Sequence, residues 1–461
     1  MQPLSRLTKK LQKRKIPGIC NRVWGVFLSL MILVQSPFTV RADDRPLPDA
    51  LYAGAAVLMD AGSGRVLYGK NADRKLPMAS TTKIMTCILV LELADPEASF
   101  GVSAYAQSMP KVKLNVKKGE QYTVKDLLYS LMLESHNDSA VVLAEGVGKQ
   151  FLGKEAAEKP TEQFTREESK QAVAAFAKRM NDKALELGCK DTLFITPNGL
   201  DASEEVILED GTKVQTGHGT TAKELARIMA YCIGESCMKE EFLKITRTPS
   251  HSFYANGRSF CCVNHNSFLQ MMDGAQSGKT GFTNQAGYCY VGSLQRDGKT
   301  LIVALLACGW PNHKSWKWSD TRKLMQYGLD RYEFHSFSED TKAFPESVLQ
   351  PVPVLHARSN RLGEQVFLRL RIATEDTAGL EKGTEGLLMS EADEVHVEYR
   401  VKQVLDAPVR EGTVVGSISF LVDDVVYRQE KIVTAEGAEA IDPGWCVRQI
   451  MKRFLFLSEA V

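Results

Sequence analysis

The chain has 461 residues, of which 44% are hydrophobic and 25% are charged, so it can bury a large core and is long enough for two or more domains. The formal net charge of +1 hides an uneven distribution, because residues 1–42 contain eight Lys and Arg residues and no Asp or Glu. The remaining body is mildly acidic, which excludes a nucleic-acid-binding protein that relies on a basic surface.

Residues 1–42 have the pattern of a signal peptide. A basic segment precedes the apolar run Val23–Val34, which is too short to span a membrane comfortably but suits the core of a secretory signal. Val40 and Ala42 are small residues at positions −3 and −1 of a cleavage site before Asp43. The sequence predicts an exported protein, and an uncleaved signal anchor is the alternative.

The ten cysteines do not form the pattern of a disulfide framework. Cys20 belongs to the leader, which leaves an odd number, and several of the others lie within apolar runs that are typical of buried thiols. No C-x-x-C pair is present, and no metal site or cofactor is indicated. We expect mostly free thiols, while a disulfide between Cys232 and Cys237 stays open.

The first part of the body mixes strands and helices. Residues 51–70 predict a β-hairpin that turns at Asp60–Gly64. The apolar run that starts at Ser80 predicts a helix that ends before Asp95 and Pro96.

Further helices are predicted over 124–133 and 139–147. Residues 153–170 are charged and poor in apolar side chains, which predicts a surface insertion. The helical pattern that follows the insertion stops at Gly188, a residue that favours helix ends.

The second part of the body begins with a predicted antiparallel sheet. Residues 276–310 contain three strand-like runs, and the last two are joined by a hairpin turn at Arg296–Lys299. A helix is predicted from Asp320 to Tyr332. Residues 43–335 therefore form a predicted first domain of the α+β class, with an antiparallel sheet, flanking helices and a helical subdomain.

Residues 336–442 predict a small all-β domain, because short runs of alternating apolar and polar residues are separated by turn signals. Residues 443–461 predict an amphipathic helix that associates with a membrane. Its predicted apolar face consists of Val447, Ile450, Met451, Phe454 and Leu457. A terminal helix docked on the β domain is the competing interpretation.

A candidate nucleophile lies at the start of the first predicted helix. In Ser80-Thr81-Thr82-Lys83 the lysine follows the serine by one helical turn, so both side chains share a face. A desolvated lysine can lose its proton near neutral pH and act as a general base. Chance gives about one or two such matches in a chain of this length.

A second match, Ser108 to Lys111, shows how weak the S-x-x-K pattern is by itself. It is set aside because Pro110 disrupts a helical turn there and no apolar helix follows. Two other motifs raise the weight of Ser80: Ser135-His136-Asn137, which otherwise reads as a polar loop, and Lys279-Thr280-Gly281, which otherwise reads as an ordinary edge strand.

The three motifs, in this order, match the S-x-x-K, S-x-N and K-T-G set of penicillin-recognising serine enzymes. The body resembles a D-alanyl-D-alanine carboxypeptidase, a low-molecular-mass penicillin-binding protein of the S11 peptidase type. The resemblance extends from about Leu51 to the end of the chain and includes FAKRMNDKALELGCKDTLFITPNGL, HGTTAKELARIM and VNHNSFL.

The resemblance implies roles for the motif residues. Ser80 attacks the carbonyl between two terminal D-alanines, and Lys83 is its base. Ser135 relays a proton to the leaving amine, and Asn137 orients Lys83 and the substrate amide.

The K-T-G motif supplies the substrate-binding side. Lys279 and Thr280 bind the terminal carboxylate, and Gly281 lets substrate lie along the strand edge. The oxyanion lies between the backbone N–H groups of Ser80 and Phe282. Implied partners are a peptidoglycan stem pentapeptide, β-lactams as covalent inhibitors, and the outer face of the cytoplasmic membrane.

The sequence departs from the family pattern at the carboxylate end of the site. Phe282 follows K-T-G where many relatives have a polar residue. The family often places an arginine after the sheet, and here Lys317 or Arg322 is the candidate substitute. His136 is interpreted as a loop histidine, not as part of a catalytic triad.

Three competing functions stay open. A β-lactamase shares the serine–lysine scheme, but no block resembling the class A glutamate loop lies between Asn137 and Lys279. A D,D-endopeptidase uses the same residues on a cross-linked peptide. A non-catalytic penicillin or wall sensor would not need the full set of nucleophile and base.

Overall fold

The computed structural model describes residues 48, 50–207, 213–337, 340, 346–361, 363–373 and 385–456. The predicted signal peptide, and Leu457 of the predicted apolar face, lie outside these residues.

The strands and helices alternate irregularly along the chain. The strands up to the end of the first predicted domain are β1 (Ala55–Asp60), β2 (Val66–Lys70), β3 (Ser99–Gly101), β4 (Gln121–Thr123), β5 (Ser203–Ile207), β6 (Lys213–Gly217), β7 (Ser250–Ala255), β8 (Arg258–Val263), β9 (Ala275–Thr283), β10 (Gly287–Arg296), β11 (Lys299–Leu306) and β12 (Glu333–Ser336). The α-helices are α1 (Lys83–Leu93), α2 (Ala104–Gln107), α3 (Val124–Tyr129), α4 (Asn137–Gly148), α5 (Lys154–Glu158), α6 (Arg166–Glu186), α7 (Ala222–Ala230), α8 (Lys239–Arg247), α9 (Trp316–Arg331) and α10 (Pro443–Phe456).

An antiparallel sheet with strand order β2-β1-β11-β10-β9 is the centre of the first domain. All six residues of β1 are buried, because helices cover both faces of the sheet. Val57 and Met59 pack on one face with α1 and α7, and Leu58 packs on the other with α9. The predicted hairpins of β1–β2 and β10–β11 are confirmed.

The helix α1 lies inside the first hydrophobic cluster, and nine of its eleven residues are buried. Ser80 lies just before it, in a turn of 3₁₀-helix over Ala79–Thr82. The sequence predicted Ser80 at the start of the α-helix. The structure places it in a tighter 3₁₀ turn that directly precedes the α-helix.

Two helices begin earlier than predicted. The helix α6 starts at Arg166, where the Thr165 hydroxyl and the Glu168 carboxylate form a capping box. The helix α9 starts at Trp316, four residues before the predicted position. The charged segment 153–170 thus contributes to α6, and it is anchored through Thr161, whose hydroxyl donates to the Gly101 carbonyl at 2.6 Å.

The second domain is β-rich, as predicted. Its strands are β13 (Val352–Leu355), β14 (Val366–Leu368), β15 (Leu370–Ile372), β16 (Gly386–Met389), β17 (His396–Val401), β18 (Leu405–Asp406), β19 (Val414–Val422) and β20 (Val425–Thr434). A three-stranded sheet, β14-β13-β18, and a four-stranded sheet, β15-β20-β19-β17, enclose a core that includes Phe337 and Phe420. The α+β fold class is confirmed.

The terminal helix α10 exposes its apolar side chains. Val447, Ile450, Met451 and Phe454 are between 55% and 75% exposed, whereas Trp445 is buried. The described apolar face is therefore not docked on the β domain. Within the described residues, no helix combines the length and apolarity that a membrane span requires.

Arg65 joins the first domain to the second. Its guanidinium donates to Asp393 at 2.6 and 3.0 Å, to Asp423 at 2.9 Å and to the Leu388 carbonyl at 2.9 Å. Arg65 is 6% exposed and Asp393 is 12% exposed, so this is a largely desolvated ion pair. Burial favours a higher pKa for the Asp393 carboxyl, but the hydrogen bonds and charge of Arg65 hold that pKa below its usual range.

Replacing Arg65 by leucine is expected to lower the free energy of unfolding by about 3–5 kcal/mol, because Asp393 is left buried without its cation. The comparison variant is Arg369→Leu, since Arg369 is 74% exposed and pairs with Glu436 at the surface. That change is expected to cost at most about 1 kcal/mol. Urea denaturation of both variants checks the difference, and equal small losses would contradict the role of Arg65.

Candidate active site

Ser80 and Lys83 lie within hydrogen-bond distance of each other, as the S-x-x-K spacing predicts. The Lys83 Nζ lies 3.0 Å from the Ser80 Oγ. Ala79, immediately before the serine, has φ +47°, a left-handed conformation that costs about 1–3 kcal/mol for a residue other than glycine. Strain of this kind adjacent to a candidate nucleophile points to a constrained turn.

The Lys83 amine is buried and has two acceptors. They are the Asn137 Oδ1 at 3.0 Å and the Asn198 carbonyl at 2.5 Å. Burial, followed by the charge of Lys279, lowers the pKa of Lys83 well below its usual value, and Asp138 opposes this shift. A lysine with a lowered pKa next to a hydroxyl can take the hydroxyl proton.

Asn137 begins α4 and has both ends of its amide occupied. Its Oδ1 accepts from Lys83, and its Nδ2 donates to the Lys111 carbonyl at 3.2 Å. The buried Asp138 next to it accepts from backbone N–H groups of residues 114–116. The start of α4 therefore holds both Lys83 and the loop at residues 111–116.

Ser135 has an exceptional conformation and a buried hydroxyl. It ends a short π-helical turn with φ +64°. Its Oγ is buried and has no hydrogen-bond partner among the described residues, which is costly unless a bound molecule supplies one. The neighbouring His136 has a partner of its own, since its Nδ1 lies 2.8 Å from the Ser130 Oγ.

The strand β9 carries the K-T-G motif at the edge of the described sheet. Lys279 is 2% exposed, burial lowers its pKa to about 7, and its Nζ donates to the Thr280 carbonyl at 3.0 Å. Lys279 pairs with Val291 on the face that contacts α1, whereas Thr280 pairs with Tyr290 on the opposite face. Thr280 and Lys279 thus leave the strand in different directions.

Gly281 lets β9 approach the Ser80 turn. A Cβ at this position would lie 2.9 Å from the Ser80 backbone nitrogen and 3.1 Å from the Ala79 Cβ. The sequence-based explanation was room for substrate, and the structure adds room for the nucleophile's own turn. Phe282, the next residue, is 38% exposed and packs against Tyr288 with ring centroids 4.7 Å apart.

The sequence motifs did not include Asn198 and Gly199. Asn198 acts through its backbone carbonyl, which no side-chain pattern reveals. Gly199 has φ +80°, and a Cβ there would lie 2.0 Å from the Ala79 carbonyl oxygen. The glycine in TPNGL was the available signal, because it indicates a turn or a close approach of two backbones.

The structure does not bring Lys317 into hydrogen-bond contact with the motif residues. Its ammonium donates to the Lys314 carbonyl at 2.7 Å and lies 4.7 Å from the ring centres of Tyr288 and Trp318. Lys317 is 2% exposed, and burial lowers its pKa to about 8. Arg322 is exposed on α9. The carboxylate-binding role of Lys317 or Arg322 therefore stays a prediction from the sequence.

Ser108, the serine of the second S-x-x-K match, is exposed at the end of α2, and its hydroxyl donates to the Tyr105 carbonyl at 2.7 Å. The nine cysteines of the described residues are free thiols, including Cys232 and Cys237. In the same residues, no cluster of His, Cys, Asp and Glu is arranged to hold a metal ion.

Sequence comparison agrees with this arrangement. The family model for D-alanyl-D-alanine carboxypeptidases, Peptidase_S11, matches residues 41–154 and 170–308. The chain belongs to this family. The model for the C-terminal domain of penicillin-binding protein 5 matches residues 388–440. The family match omits residues 155–169, which lie within the segment predicted to be an insertion.

Relatives of the family span most of the chain. D-alanyl-D-alanine carboxypeptidase DacF of Bacillus subtilis is 26% identical over 419 residues, covering 89% of this chain and 92% of the relative. A D-alanyl-D-alanine endopeptidase of Pseudomonas aeruginosa is 28% identical and covers 56% of this chain and 73% of its own. Penicillin-binding protein 5 of Haemophilus influenzae shares the fold, with a TM-score of 0.59 at 21% identity over 86% of this chain and all of the other.

Replacing Gly281 by alanine is expected to lower the free energy of unfolding by about 1–3 kcal/mol, because the added methyl overlaps the Ser80 turn. Gly234→Ala is the control, since a Cβ there would meet no described atom within 4 Å beyond its chain neighbours and the backbone of its own helical turn. Denaturant titration of both variants checks the difference. If Gly281→Ala is as stable as the control, the close approach of β9 to the Ser80 turn is not tightly constrained.

Proposed function

We propose that the protein is a serine-type D-alanyl-D-alanine carboxypeptidase that removes the terminal D-alanine from peptidoglycan pentapeptides through an acyl-enzyme on Ser80. The observation that carries the proposal is the buried Lys83 amine, 3.0 Å from the Ser80 Oγ and with its pKa lowered by burial. Membership of the D-alanyl-D-alanine carboxypeptidase family supports the substrate class.

In acylation, neutral Lys83 donates its two N–H groups to Asn137 and Asn198, and its lone pair takes the Ser80 proton. The Ser80 Oγ attacks the carbonyl carbon between the two D-alanines. The backbone N–H groups of Ser80 and Phe282 stabilise the oxyanion. As the tetrahedral intermediate collapses, the C–N bond breaks, and Ser135 relays a proton from Lys83 to the departing amine. The Ser135 hydroxyl supports this role, because among the described residues it has no other hydrogen bond to give up.

In deacylation, water attacks the ester carbonyl and gives a proton to Lys83. As the C–O bond to Ser80 breaks, Lys83 passes that proton to the Ser80 oxygen. Asn137 holds Lys83 through both steps. In the earlier acylation step, Lys279 and Thr280 bind the carboxylate of the terminal D-alanine until that D-alanine is released. A carboxylate beside Lys279 favours the charged ammonium, which offsets the lowering of its pKa by burial. The outer edge of β9 in the described sheet can pair with an extended peptide.

β-Lactams are the proposed covalent inhibitors, since their strained amide can acylate the same serine. An endopeptidase on cross-linked peptides is the second candidate, and the relative from Pseudomonas aeruginosa that is named as an endopeptidase favours it. Both activities use the same acylation step. They differ only in whether the leaving amine belongs to a free D-alanine or to a second peptide.

The decisive experiment incubates the purified body with a pentapeptide that ends in D-Ala-D-Ala and measures released D-alanine. Release is expected from the intact protein, and Ser80→Ala is expected to abolish both release and labelling by a fluorescent penicillin. Ser108→Ala is the matched control, because this exposed serine carries the other S-x-x-K match, and it should keep both. Labelling by the penicillin without release of D-alanine would contradict the hydrolase and favour a sensor.

Export to the outer face of the cytoplasmic membrane is proposed from the leader and from α10. The exposed apolar side chains of Val447, Ile450, Met451 and Phe454 support insertion of this face into the lipid headgroup region. Arg448, Lys452 and Arg453 supply positive charge to the same helix, which favours an anionic membrane surface.

The double substitution Val447→Ser and Phe454→Ser is expected to reduce binding of the body to vesicles of anionic phospholipid at least tenfold, because two large apolar groups no longer enter the bilayer. Gln449→Ser on the polar face is the control and should bind as the parent does. Co-sedimentation with vesicles checks both. Unchanged binding of the double variant would contradict a membrane role for α10.

A further inference from the structure

His218 lies behind the active site and connects two segments that contact Lys83. It is 5% exposed. Its Nε2 is 2.7 Å from the Thr82 Oγ1, and its Nδ1 faces the backbone N–H groups of Ile195 at 3.0 Å and Thr196 at 3.4 Å. None of the three sequence motifs contains this histidine.

The hydrogen positions follow from these partners. Two N–H donors face Nδ1, so Nδ1 is the acceptor and the ring proton is on Nε2. The Thr82 hydroxyl lies 2.8 Å from the Ala79 carbonyl oxygen, which has no hydrogen to give. The hydroxyl therefore donates to Ala79 and accepts from His218. Burial, with the charges of Lys83 and Lys75, lowers the pKa of His218 to about 4, which keeps the ring neutral.

The end of this chain of hydrogen bonds is the peptide unit between Ala79 and Ser80. That unit is planar and trans, so its C=O and its N–H point in opposite directions. Fixing the Ala79 carbonyl thus fixes the Ser80 N–H, which is one of the two proposed oxyanion donors. This peptide unit also needs contacts from other residues to keep its conformation, because Ala79 has a left-handed φ of +47°. Gly199 leaves space for the hydroxyl, since its Cβ would lie 2.9 Å from the Thr82 Oγ1.

We propose that His218 and Thr82 are positioning residues that orient the Ser80 backbone N–H for the oxyanion. Neither touches substrate, and the proposal rests on the proposed serine mechanism. A hydrogen bond accepted at the carbonyl also polarises the amide, which makes its N–H a stronger donor. The role belongs to the acylation transition state, because the donor matters most where negative charge develops.

Paired isosteres separate this role from a structural one. His218→Gln places an N–H donor near the Nε2 position and loses the acceptor for Ile195. His218→Asn keeps an acceptor near Nδ1 and loses the contact with Thr82. Thr82→Val removes the hydroxyl, Thr82→Ser keeps it, and Thr321→Val is the control, a buried threonine on α9 at the opposite face of the sheet.

The concentration dependence of labelling by a fluorescent penicillin separates initial binding from the acylation step. His218→Asn and Thr82→Val are expected to lower the maximal acylation rate by about 10- to 100-fold with little change in the half-saturating concentration. His218→Gln, Thr82→Ser and Thr321→Val are expected to stay within about threefold of the parent. Thermal unfolding verifies that each variant is folded, and if His218→Asn does not fold, the Thr82 pair carries the test.

Three results would overturn the proposal. Folded His218→Asn or Thr82→Val could acylate at the parental rate, His218→Gln could lose as much as His218→Asn, or the loss could fall wholly on the half-saturating concentration. The second result would show that His218 only holds residues 195–196. A parent protein that is neither labelled nor active refutes the proposed function itself, which keeps the two failures apart.

Discussion

The arrangement of the site depends on the hydrogen bonds of the buried Lys83 amine. An amine removed from water is costly unless hydrogen-bond partners surround it, and here Ser80, Asn137 and Asn198 each supply one. These partners come from the turn before α1, the start of α4 and a loop that lies 115 residues after Lys83 in the sequence. The helical subdomain and the sheet-containing part of the domain therefore meet at this side chain.

Close backbone contacts are the second constraint, and they explain why the site is built from irregular segments. The strand β9 and the loop at Gly199 both approach the turn before α1 where a side chain would collide. Ala79 and Ser135 both occupy left-handed conformations. Regular elements such as β1 and α1, which are almost fully buried, provide the packing that keeps these strained positions in place.

The sequence was most informative where side chains act within a local motif. The spacing of Ser80 and Lys83, the S-x-N motif at Asn137 and the strand at Lys279 were all readable, because periodicity and short-range spacing determine them. The two hairpins of the central sheet and the helices α1 and α4 followed for the same reason, whereas α7, α8 and the strands β5 to β8 were not predicted. Helix starts were less accurate: a capping box placed α6 at Arg166 and tertiary packing placed α9 at Trp316.

Contributions made by the backbone or across long separations were not predictable. The Asn198 carbonyl has no side-chain signature, and the contact of His218 with Thr82 joins residues 136 positions apart. The contacts of Lys317 with the rings of Tyr288 and Trp318 were likewise not predictable from its position in the sequence. Pairing over such distances depends on the whole fold, which periodicity and local spacing do not determine.

The folded state also protects the free thiols of the core from oxidation. Cys87, Cys189, Cys232, Cys262, Cys289 and Cys308 are buried, and burial raises the pKa of Cys189, Cys262 and Cys289 to about 12. A buried thiol without its thiolate form does not react with oxidants. Unfolding would expose six thiols at once, so in an oxidising medium non-native disulfides would make the loss of structure irreversible, and the rate of unfolding would set the lifetime of the protein.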